Sequence, residues 1–382
     1  MRMLVLGAGL QGSACTYDLL QDKDVEQVRL AGLRIEHLPP FLAPYSGRRL
    51  LPTPLDVRDE EAVRAAMRES NAVMSALPYY LNFQMARLAV AEGVHFTDLG
   101  GNTEIVNQQK TLDPEARRKD VTVVPDSGLA PGMVNILAEY GIRQLDAVDA
   151  VRIYVGGLPQ DPEPPLNYQI VYSLEGVLDY YTTLSWVLRG GKRTQVRALS
   201  ELEPVRFGNG VGTLEAFHTA GGLSTMAFRY EGKIPVMEYK TLRYAGHAER
   251  MEAIRELGLL DLEPVDVKGQ KIVPRDAFMA IVGPRLTKPG AKDLVALRVT
   301  VSGKKKNAPK TLSWELIDRY DESHHISAMM RTTGYSLSIT GMMQVRGEVR
   351  PAGVHTPDEC VPAERYIEEL AKRGVAIRAV SG

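Results

Sequence analysis

The first third of the chain alternates short apolar runs with stretches of helical periodicity. Residues 3–6 form an apolar run, and residues 13–20 after it have the pattern of an amphipathic helix. Further apolar runs lie at 71–77, 94–98 and 121–124. Apolar strands that alternate with helices are typical of a parallel sheet covered on both faces. The pattern therefore predicts an α/β domain with a doubly wound parallel sheet.

The hydrophobic pattern changes near residue 147. Residues 148–155, 232–244 and 294–301 alternate apolar and polar positions, and residues 312–316 are expected to pair with the last of these segments. Such alternation is typical of half-solvated strands. Helical periodicity returns at 327–345 and 362–372. We therefore expect a second α/β domain, built on a mixed or antiparallel sheet.

A glycine motif lies between the first strand and the first helix. Gly7, Gly9 and Gly12 match G-x-G-x-x-G, with Leu10 and Gln11 between the last two glycines. In this context the glycines allow a tight turn and let the backbone approach a pyrophosphate, which the helix N-terminus favours. The sequence therefore predicts a dinucleotide site formed by these five residues.

The acidic residue that completes this motif is missing. An Asp or Glu at the end of the second strand normally binds the ribose hydroxyls and repels a 2′-phosphate, but Gly32 lies there. Arg34 or Arg29 could reach a 2′-phosphate, and alternatively Glu36 could replace the missing acid. We therefore expect relaxed cofactor selectivity, with NADP tolerated unusually well beside NAD.

The carboxyl ends of the other predicted strands extend this site, because open parallel sheets bind ligands there. Asp98 and Asp126 each end a strand, and each could instead cap the following turn. We expect the cofactor to contact a further set of residues near these strand ends: Asp56, Ala76, Leu77, Pro78, Leu99, Gly100 and Gly101.

Composition excludes several other functions. The 46 Lys and Arg residues nearly balance the 47 Asp and Glu residues, which argues against a nucleic-acid or anionic-membrane partner. Two cysteines cannot form a disulfide framework. The first apolar run lies too close to Met1 for a signal peptide, and none is long enough to span a membrane. We therefore expect a cytoplasmic protein, and we predict no metal site.

An ionisable cluster lies in the second domain. His218 precedes a glycine-rich turn, and a strand pattern follows that contains Glu238, Lys240 and Arg243. Alternation places Glu238 and Lys240 on one face of that strand and Arg243 on the other. Arg243 suits a carboxylate, and Lys240 or His218 could move a proton when buried. The alternative is a solvated strand face with ordinary ion pairs.

Several segments together resemble a known family: GAGLQG, SALPYY, DLGG, PDSGLAPGM, YVGGLP-x5-PLNYQIVYSLEGV, EAFHTAGG and EYKTLRYAGH. The chain resembles the saccharopine dehydrogenase-like family from residue 1 to about 374, and within it the branch of NAD-dependent L-lysine 6-dehydrogenases. Gly32 departs from that branch, which carries Asp there. The resemblance implies a Rossmann domain and an α/β substrate domain whose mixed sheet mediates self-association.

The resemblance also implies a reaction. NAD(P)-dependent oxidation of the L-lysine ε-amine would give allysine, which cyclises to 1-piperideine-6-carboxylate, and ammonia would be released. The amine must be neutral to react, so a proton acceptor is needed. The candidate acceptors are Asp98, Asp126, His218 and Lys240. The residues expected at the substrate are Tyr168, Tyr172, Arg243, which would bind its α-carboxylate, and His247.

Three domains and two alternative functions complete the expectations. Residues 1–130 would form the Rossmann dinucleotide-binding domain, 131–321 the substrate and oligomerisation domain, and 322–382 C-terminal helices that return to the first domain. A saccharopine reductase, which joins an amine to an aldehyde with NADPH, is one alternative. A cofactor-binding sensor without turnover is the other. The expected partners are L-lysine or a related amine and further copies of the chain.

Overall fold

The computed structural model describes residues 1–380. Its strands are β1 (Arg2–Leu6), β2 (Gln27–Gly32), β3 (Leu50–Pro54), β4 (Ala72–Ser75), β5 (His95–Asp98), β6 (Thr122–Val124), β7 (Ala147–Pro159), β8 (Ser185–Arg189), β9 (Lys192–Val196), β10 (Glu203–Phe207), β11 (Gly212–His218), β12 (Val236–Arg243), β13 (Val265–Val267), β14 (Gln270–Ile272), β15 (Asp293–Lys305), β16 (Ala308–Arg319), β17 (Gly353–Val354) and β18 (Arg378–Val380).

The helices connect these strands and cover the sheets. They are α1 (Leu10–Gln21), α2 (Glu60–Arg68), α3 (Asn82–Glu92), α4 (Thr103–Lys110), α5 (Asp113–Arg118), α6 (Met133–Ile142), α7 (Leu174–Thr182), α8 (Met226–Arg229), α9 (His247–Glu256), α10 (Pro274–Leu286), α11 (Ala328–Val345), α12 (Pro357–Cys360) and α13 (Ala363–Lys372). Across residues 1–380, none of them has both the length and the apolar character that crossing a membrane requires.

The first sheet is parallel and doubly wound, as the sequence pattern predicts. Its strand order is β17-β6-β5-β4-β1-β2-β3, and every pair within it is parallel. The chain leaves β1 toward β2 on one side and later returns to β4 on the other, so the order reverses at β1. Ligands of such sheets bind in the crevice at this reversal, beyond the carboxyl ends of the strands. The glycine motif directly follows β1.

The second sheet is mixed, which also agrees with the sequence pattern. Its strand order is β10-β11-β12-β7-β15-β16-β18, and β8 joins β12 to β9. The β7–β12 pair is parallel, whereas the other pairs are antiparallel. The predicted hairpin is confirmed, since Leu297 pairs with Leu316 and Val301 with Leu312. Arg243, the last residue of β12, pairs with Glu215 of β11.

The hydrophobic pattern does not predict strand β3, and its composition explains why. It contains Pro52 and Pro54, and proline lacks the N–H that a central strand needs. In the structure β3 lies at the edge of the first sheet, where only β2 pairs with it. Edge positions tolerate proline because one side of the strand makes no sheet hydrogen bonds.

The predicted C-terminal helices pack close to the glycine motif. Helix α11 begins after Ser327, whose hydroxyl accepts a hydrogen bond from the Met330 N–H at 3.1 Å. It packs along α1, β4 and β5. At Gly334 an added Cβ would lie 2.7 Å from the Cβ of Ala14 and 2.8 Å from the carbonyl oxygen of Gln11. The absence of a side chain at Gly334 therefore lets α11 approach α1. The domain boundaries at residues 130 and 321 stay predictions.

Replacement of Gly334 by valine should lower the stability of the protein. The added side chain would overlap α1, and overpacking of this kind lowers the free energy of unfolding by about 1–3 kcal/mol. Denaturant titration measures this change. Gly208→Val is the matched control, because an added Cβ at Gly208 meets no atom within 4 Å. Equal loss of stability in the two variants would contradict the packing interpretation.

Candidate functional site

A cavity of about 500 Å³ lies between the carboxyl ends of the first sheet and the face of the second. Both sheets line it together with α7 and α11. The first sheet and its loops contribute predicted cofactor residues: Gly9, Leu10, Gln11, Ala76, Leu77, Pro78, Leu99 and Gly100. The second domain contributes Tyr172 and Arg243, which were predicted to bind substrate. The structure therefore brings ten of the predicted site residues to one cavity.

The three motif glycines have different structural roles. Gly7 has a φ of +100°, and an added Cβ would lie 2.7 Å from the carbonyl oxygen of Ala76. An added Cβ on Gly12 would lie 1.8 Å from the carbonyl oxygen of Gly7. At Gly9, in contrast, an added Cβ would meet no atom within 4 Å. Gly7 and Gly12 are therefore needed for the turn itself, whereas Gly9 leaves open space beside the cavity.

The start of α1 offers unsatisfied hydrogen-bonding groups. Gly9 precedes the helix and provides no side-chain cap, so the first N–H groups are available to an anion. The side-chain amide atoms of Gln11 are buried and have no hydrogen-bond partner within residues 1–380. Buried polar groups without partners are unfavourable. A bound ligand with polar atoms would satisfy both features, and the pyrophosphate and amide groups of a dinucleotide fit this requirement.

Arg243 is a buried cation without an anion. It ends β12, lines the cavity and is 3% exposed. Its Nε donates to the Tyr181 hydroxyl at 3.1 Å, and its Nη1 donates to the carbonyls of Leu242 at 2.9 Å and Gly157 at 3.4 Å. The ring of Tyr168 lies 4.8 Å from the guanidinium carbon. Within residues 1–380 Arg243 forms no salt bridge with any carboxylate. Since buried charges require pairing, this site favours an anionic ligand group.

Two carboxylates lie on α7 along the same cavity. Glu175 and Asp179 are four residues apart, so they share one face of the helix. Asp179 pairs with Arg275 at 2.6 Å and lies 3.5 Å from the Tyr79 hydroxyl. Glu175 is exposed and forms no salt bridge within the described part of the chain. The cavity therefore combines one cation with an acidic wall.

Asp126 and Asp98 lie beneath the turn at Gly100 and Gly101 rather than in the cavity lining. The Gly101 N–H donates to Oδ1 of Asp126 at 3.0 Å, and an added Cβ on Gly100 would lie 1.6 Å from that oxygen. Asp98 accepts from the Gln109 amide at 2.6 Å. Burial raises the pKa of Asp98 to about 6 and that of Asp126 to about 7, where the charge of Asp98 adds to the effect. Burial therefore moves the pKa of both carboxyls toward neutrality, and Gly100 lies between Asp126 and the cavity.

Lys240 and His218 lie outside the cavity, contrary to the expectation of one catalytic cluster. Alternation along β12 points Lys240 to the face opposite Arg243. Its Nζ pairs with Glu203 at 2.8 Å and donates to the Glu201 carbonyl at 2.6 Å. His218 pairs with Lys240 across β11 and β12, and its Nε2 lies 3.0 Å from Glu201. Both side chains belong to an ion-pair network on the other face of the sheet.

This network includes a group with the spacing of a metal site. Ligand atoms of Glu201, His218 and Glu238 lie within 4.8 Å of one another. Arg189 already pairs with Glu201 at 2.7 Å and with Glu238 at 2.8 Å. Burial lowers the pKa of His218, although its hydrogen bond to Glu201 opposes this effect. A guanidinium between the two carboxylates would repel a cation, so these residues form a structural ion-pair network.

Tyr168 and His247 lie behind Arg243 and do not line the cavity. They belong to an apolar cluster that also contains Tyr181. Sequence reasoning missed this tyrosine, and it also missed Glu175 and Asp179. The helical spacing of these two acids within SLEGVLDYY was the available signal, whereas nothing in the sequence indicates that Tyr181 contacts Arg243.

The expected adenosine end of the site lies at the carboxyl ends of β2 and β3. Gly32 accepts a hydrogen bond from the N–H of the residue before Asp56, which brings the two strand ends together. Asp56 binds the guanidinium of Arg58, which lowers the pKa of Asp56 to about 2. Arg29 pairs with Glu69, and this ion pair would have to open before Arg29 could reach a phosphate. Arg34 is exposed.

Replacement of Gly9 by valine tests the dinucleotide assignment. Because the position is open, the variant should fold with nearly unchanged thermal stability, whereas its side chain would block a pyrophosphate. We expect cofactor affinity to fall by at least tenfold in calorimetry. Gly12→Val is the contrasting variant, since its side chain would overlap Gly7 and should destabilise the apo protein. Unchanged cofactor affinity in Gly9→Val would refute the assignment.

Comparison with known proteins matches almost the whole chain to one family. A family model described as saccharopine dehydrogenase NADP binding domain matches residues 3–124, and one described as saccharopine dehydrogenase C-terminal domain matches residues 128–375. Saccharopine dehydrogenase [NADP(+), L-glutamate-forming] of Saccharomyces cerevisiae is 25% identical over 309 residues, covering 77% of this chain and 66% of its own length. Alpha-aminoadipic semialdehyde synthase of Bos taurus is 25% identical over 295 residues, covering 73% and 29%.

Solved structures show the same fold. Apo saccharopine dehydrogenase (L-Glu forming) from Saccharomyces cerevisiae superposes with a TM-score of 0.79 at 20% identity, covering 100% of both chains. Homospermidine synthase from Legionella pneumophila in complex with NAD gives a TM-score of 0.69 at 12% identity, covering 100% of this chain and 91% of its own. The matched first domain supports nicotinamide dinucleotide binding. This chain belongs to the saccharopine dehydrogenase family.

Proposed function

We propose that this protein is an NAD(P)-dependent dehydrogenase that oxidises the ε-amine of L-lysine to allysine. The observation that carries the proposal is the buried guanidinium of Arg243, which pairs with no carboxylate within residues 1–380 and lies in a cavity that begins at the dinucleotide motif. A substrate carboxylate would accept charge-assisted hydrogen bonds from Nη2 of this guanidinium, the nitrogen that has no acceptor within residues 1–380. The acidic wall of α7 would face the amino groups.

The charges of the cavity favour lysine over saccharopine as substrate. Saccharopine carries three carboxylates, whereas lysine carries one. The lining offers one arginine, Arg243, together with the carboxylates of Glu175 and Asp179. Arg275 compensates the charge of Asp179, whereas Glu175 has no salt bridge within residues 1–380, so an extra substrate carboxylate beside Glu175 would be repelled. A diamino monocarboxylate therefore fits the cavity better than a tricarboxylate does.

The reaction needs a proton acceptor beside the substrate. A bound oxidised nicotinamide would accept the hydride from the ε-carbon. A free lysine amine is protonated at neutral pH, so it must lose a proton before it can form the imine. Of the four predicted acceptors, Asp126 lies directly beneath Gly100, which lines the cavity, and burial raises its pKa to about 7, a value that suits proton transfer near neutrality. We therefore favour Asp126 as the acceptor, with the turn at Gly100 and Gly101 between its carboxyl and the cavity.

Water completes the reaction. It attacks the imine carbon, ammonia leaves, and allysine closes on its own α-amine because the product ring has six members. Arg243 would keep the substrate oriented by its carboxylate while water enters the cavity. These steps require no further cofactor.

Saccharopine-type chemistry is the second candidate. The matched yeast and bovine proteins carry names from that chemistry, which favours an NADPH-dependent joining of an amine to an aldehyde as the alternative. The chain spans 66% of the length of the yeast relative and 29% of the length of the bovine one, so the full activity of these relatives is not assigned to it. Self-association through the mixed sheet stays a further proposal.

L-Lysine with oxidised cofactor should give reduced cofactor without a second substrate. The product should react with o-aminobenzaldehyde as a cyclic imine, and lysine labelled at the ε-nitrogen should release labelled ammonia. Turnover only with saccharopine, or only with an aldehyde and an amine together, would establish the second candidate. Cofactor binding without turnover on any amine would indicate a sensor.

Replacement of Arg243 by alanine should raise KM for lysine at least tenfold and change kcat less. A carboxylate anchor far from the reacting carbon acts equally in the ground state and the transition state. Arg243→Lys keeps the charge and should retain part of the affinity. Steady-state kinetics measure both variants, and an unchanged KM in Arg243→Ala would contradict the assigned role.

Cofactor choice depends on the region of Gly32. We propose that NAD is used and that NADP is tolerated, since Gly32 cannot repel a 2′-phosphate and Arg34 is exposed nearby. The family model described as NADP binding supports this tolerance. Glu36 is also exposed and stays the alternative substitute for the missing acid.

Gly32→Asp should raise the ratio of kcat/KM for NAD over NADP by about tenfold or more. One charge-assisted hydrogen bond contributes about 1.5–3 kcal/mol, and 1.4 kcal/mol corresponds to a factor of ten. An added Cβ would lie 3.1 Å from that of Ala8, so Gly32→Ala is the control for local displacement. If the wild-type enzyme already prefers NAD a thousandfold and Gly32→Asp leaves this preference unchanged, a residue other than Gly32 selects between NAD and NADP.

A further inference from the structure

A continuous chain of hydrogen bonds leads away from Arg243 into the protein. Nε of Arg243 donates to the Tyr181 hydroxyl at 3.1 Å. That hydroxyl lies 3.0 Å from Nε2 of His247, and Nδ1 of His247 lies 2.9 Å from the Leu166 carbonyl oxygen. Tyr181 and His247 are each 1% exposed. The chain joins β12, α7, α9 and the loop before α7 behind the cavity wall.

The direction of every hydrogen bond in this chain is determined. The Leu166 carbonyl can only accept, so Nδ1 of His247 carries the proton and Nε2 accepts from Tyr181. The Tyr181 hydroxyl has then donated its one hydrogen, and its oxygen accepts from Arg243. Burial, with the charge of Arg243 as a second cause, lowers the pKa of His247 to about 3. The imidazole therefore stays neutral in the working range, and this tautomer is retained.

We propose that Tyr181 and His247 are positioning residues that orient the Arg243 guanidinium for the carboxylate of an amino-acid substrate. Arg243 has two of its nitrogens engaged: Nε donates to Tyr181, and Nη1 donates to the carbonyls of Leu242 at 2.9 Å and Gly157 at 3.4 Å. Its Nη2 donates to no acceptor within residues 1–380. With the planar group held at two points, its remaining N–H groups meet a carboxylate in one defined plane.

Packing around the guanidinium reinforces this geometry. The ring of Tyr168 lies against the guanidinium, with 4.8 Å between the guanidinium carbon and the ring centroid. His247 in turn packs on Tyr168 and Tyr181, with ring centroids 5.4 Å and 5.8 Å away. Each ring that contacts Arg243 is therefore itself held by the imidazole. Selectivity for a carboxylate over a neutral amide thus depends on His247, which has no contact with the cavity.

The test compares two probes that differ only at the carboxyl group, 6-aminohexanoate and 6-aminohexanamide. Calorimetry with reduced cofactor present prevents turnover. The ratio of the two affinities in the wild type reports carboxylate recognition. Tyr181→Phe removes the hydroxyl that holds Nε, and His247→Leu removes the acceptor that holds that hydroxyl. We expect both variants to lower the acid-over-amide ratio about tenfold, whereas the amide affinity changes little.

Conservative and distant variants separate positioning from general stability. His247→Gln can place an amide oxygen near the Nε2 position and should restore much of the ratio that His247→Leu loses. Tyr366→Phe is the matched control, because Tyr366 is fully buried and its hydroxyl lies 2.5 Å from that of Ser336. It should lower the melting temperature without changing the acid-over-amide ratio.

The outcomes distinguish this inference from the proposed function on which it rests. Unchanged ratios in Tyr181→Phe and His247→Leu, with a lost ratio in Arg243→Gln, would overturn the positioning role alone. A wild-type protein that binds acid and amide equally would overturn the carboxylate site and the positioning role together. If the wild type prefers the acid but does not oxidise lysine, the proposed reaction is wrong and the variants still decide the positioning role.

Discussion

The burial of one guanidinium charge is the constraint around which the cavity is built. Arg243 is 3% exposed, and a charge at such depth is unfavourable unless other groups compensate it. Tyr181, Leu242 and the Tyr168 ring supply neutral partners, but no carboxylate pairs with it within residues 1–380. The protein stabilises the cation without neutralising it. An incoming anionic group therefore meets a preorganised, desolvated partner, where electrostatic attraction is strong.

Strand β12 separates two chemical environments. Its odd-numbered residues from Tyr239 to Arg243 face the cavity, and Lys240 and Glu238 face the ion-pair network on the other side. In that network each buried charge has an opposite partner, as folding stability requires. Arg243, on the opposite face of the same strand, has no carboxylate partner within residues 1–380. A local violation of the pairing rule of this kind is typical of a binding site.

The cavity also depends on the close approach of α11 to α1. Gly334 lets the two helices pack with Ala14 and the Gln11 backbone in contact, and α11 supplies Met329 and Thr333 to the cavity wall. Residues from both ends of the chain therefore set the position of the dinucleotide motif relative to Arg243. Since hydride transfer demands a close alignment of the two reactants, this packing bears directly on the proposed reaction.

The sequence by itself determined those features that depend on local periodicity and backbone geometry. The parallel first sheet, the β15–β16 hairpin, the Gly7–Gly12 turn and the opposite facing of Lys240 and Arg243 all follow from spacing along one segment. Gly9 and Arg243 could therefore be placed at a site before the fold was known.

Tertiary structure alone decided which face of each element lines the cavity and what stands behind it. Asp98 and Asp126 were predicted at the site, but the turn at Gly100 covers them. His218 lies in an ion-pair network, and His247 contacts the hydroxyl of Tyr181 behind the cavity wall. Such contacts join residues separated by tens of positions in the chain, as between Tyr181 and His247. They depend on the pairing and packing of distant elements, for which no periodicity within a single segment carries information.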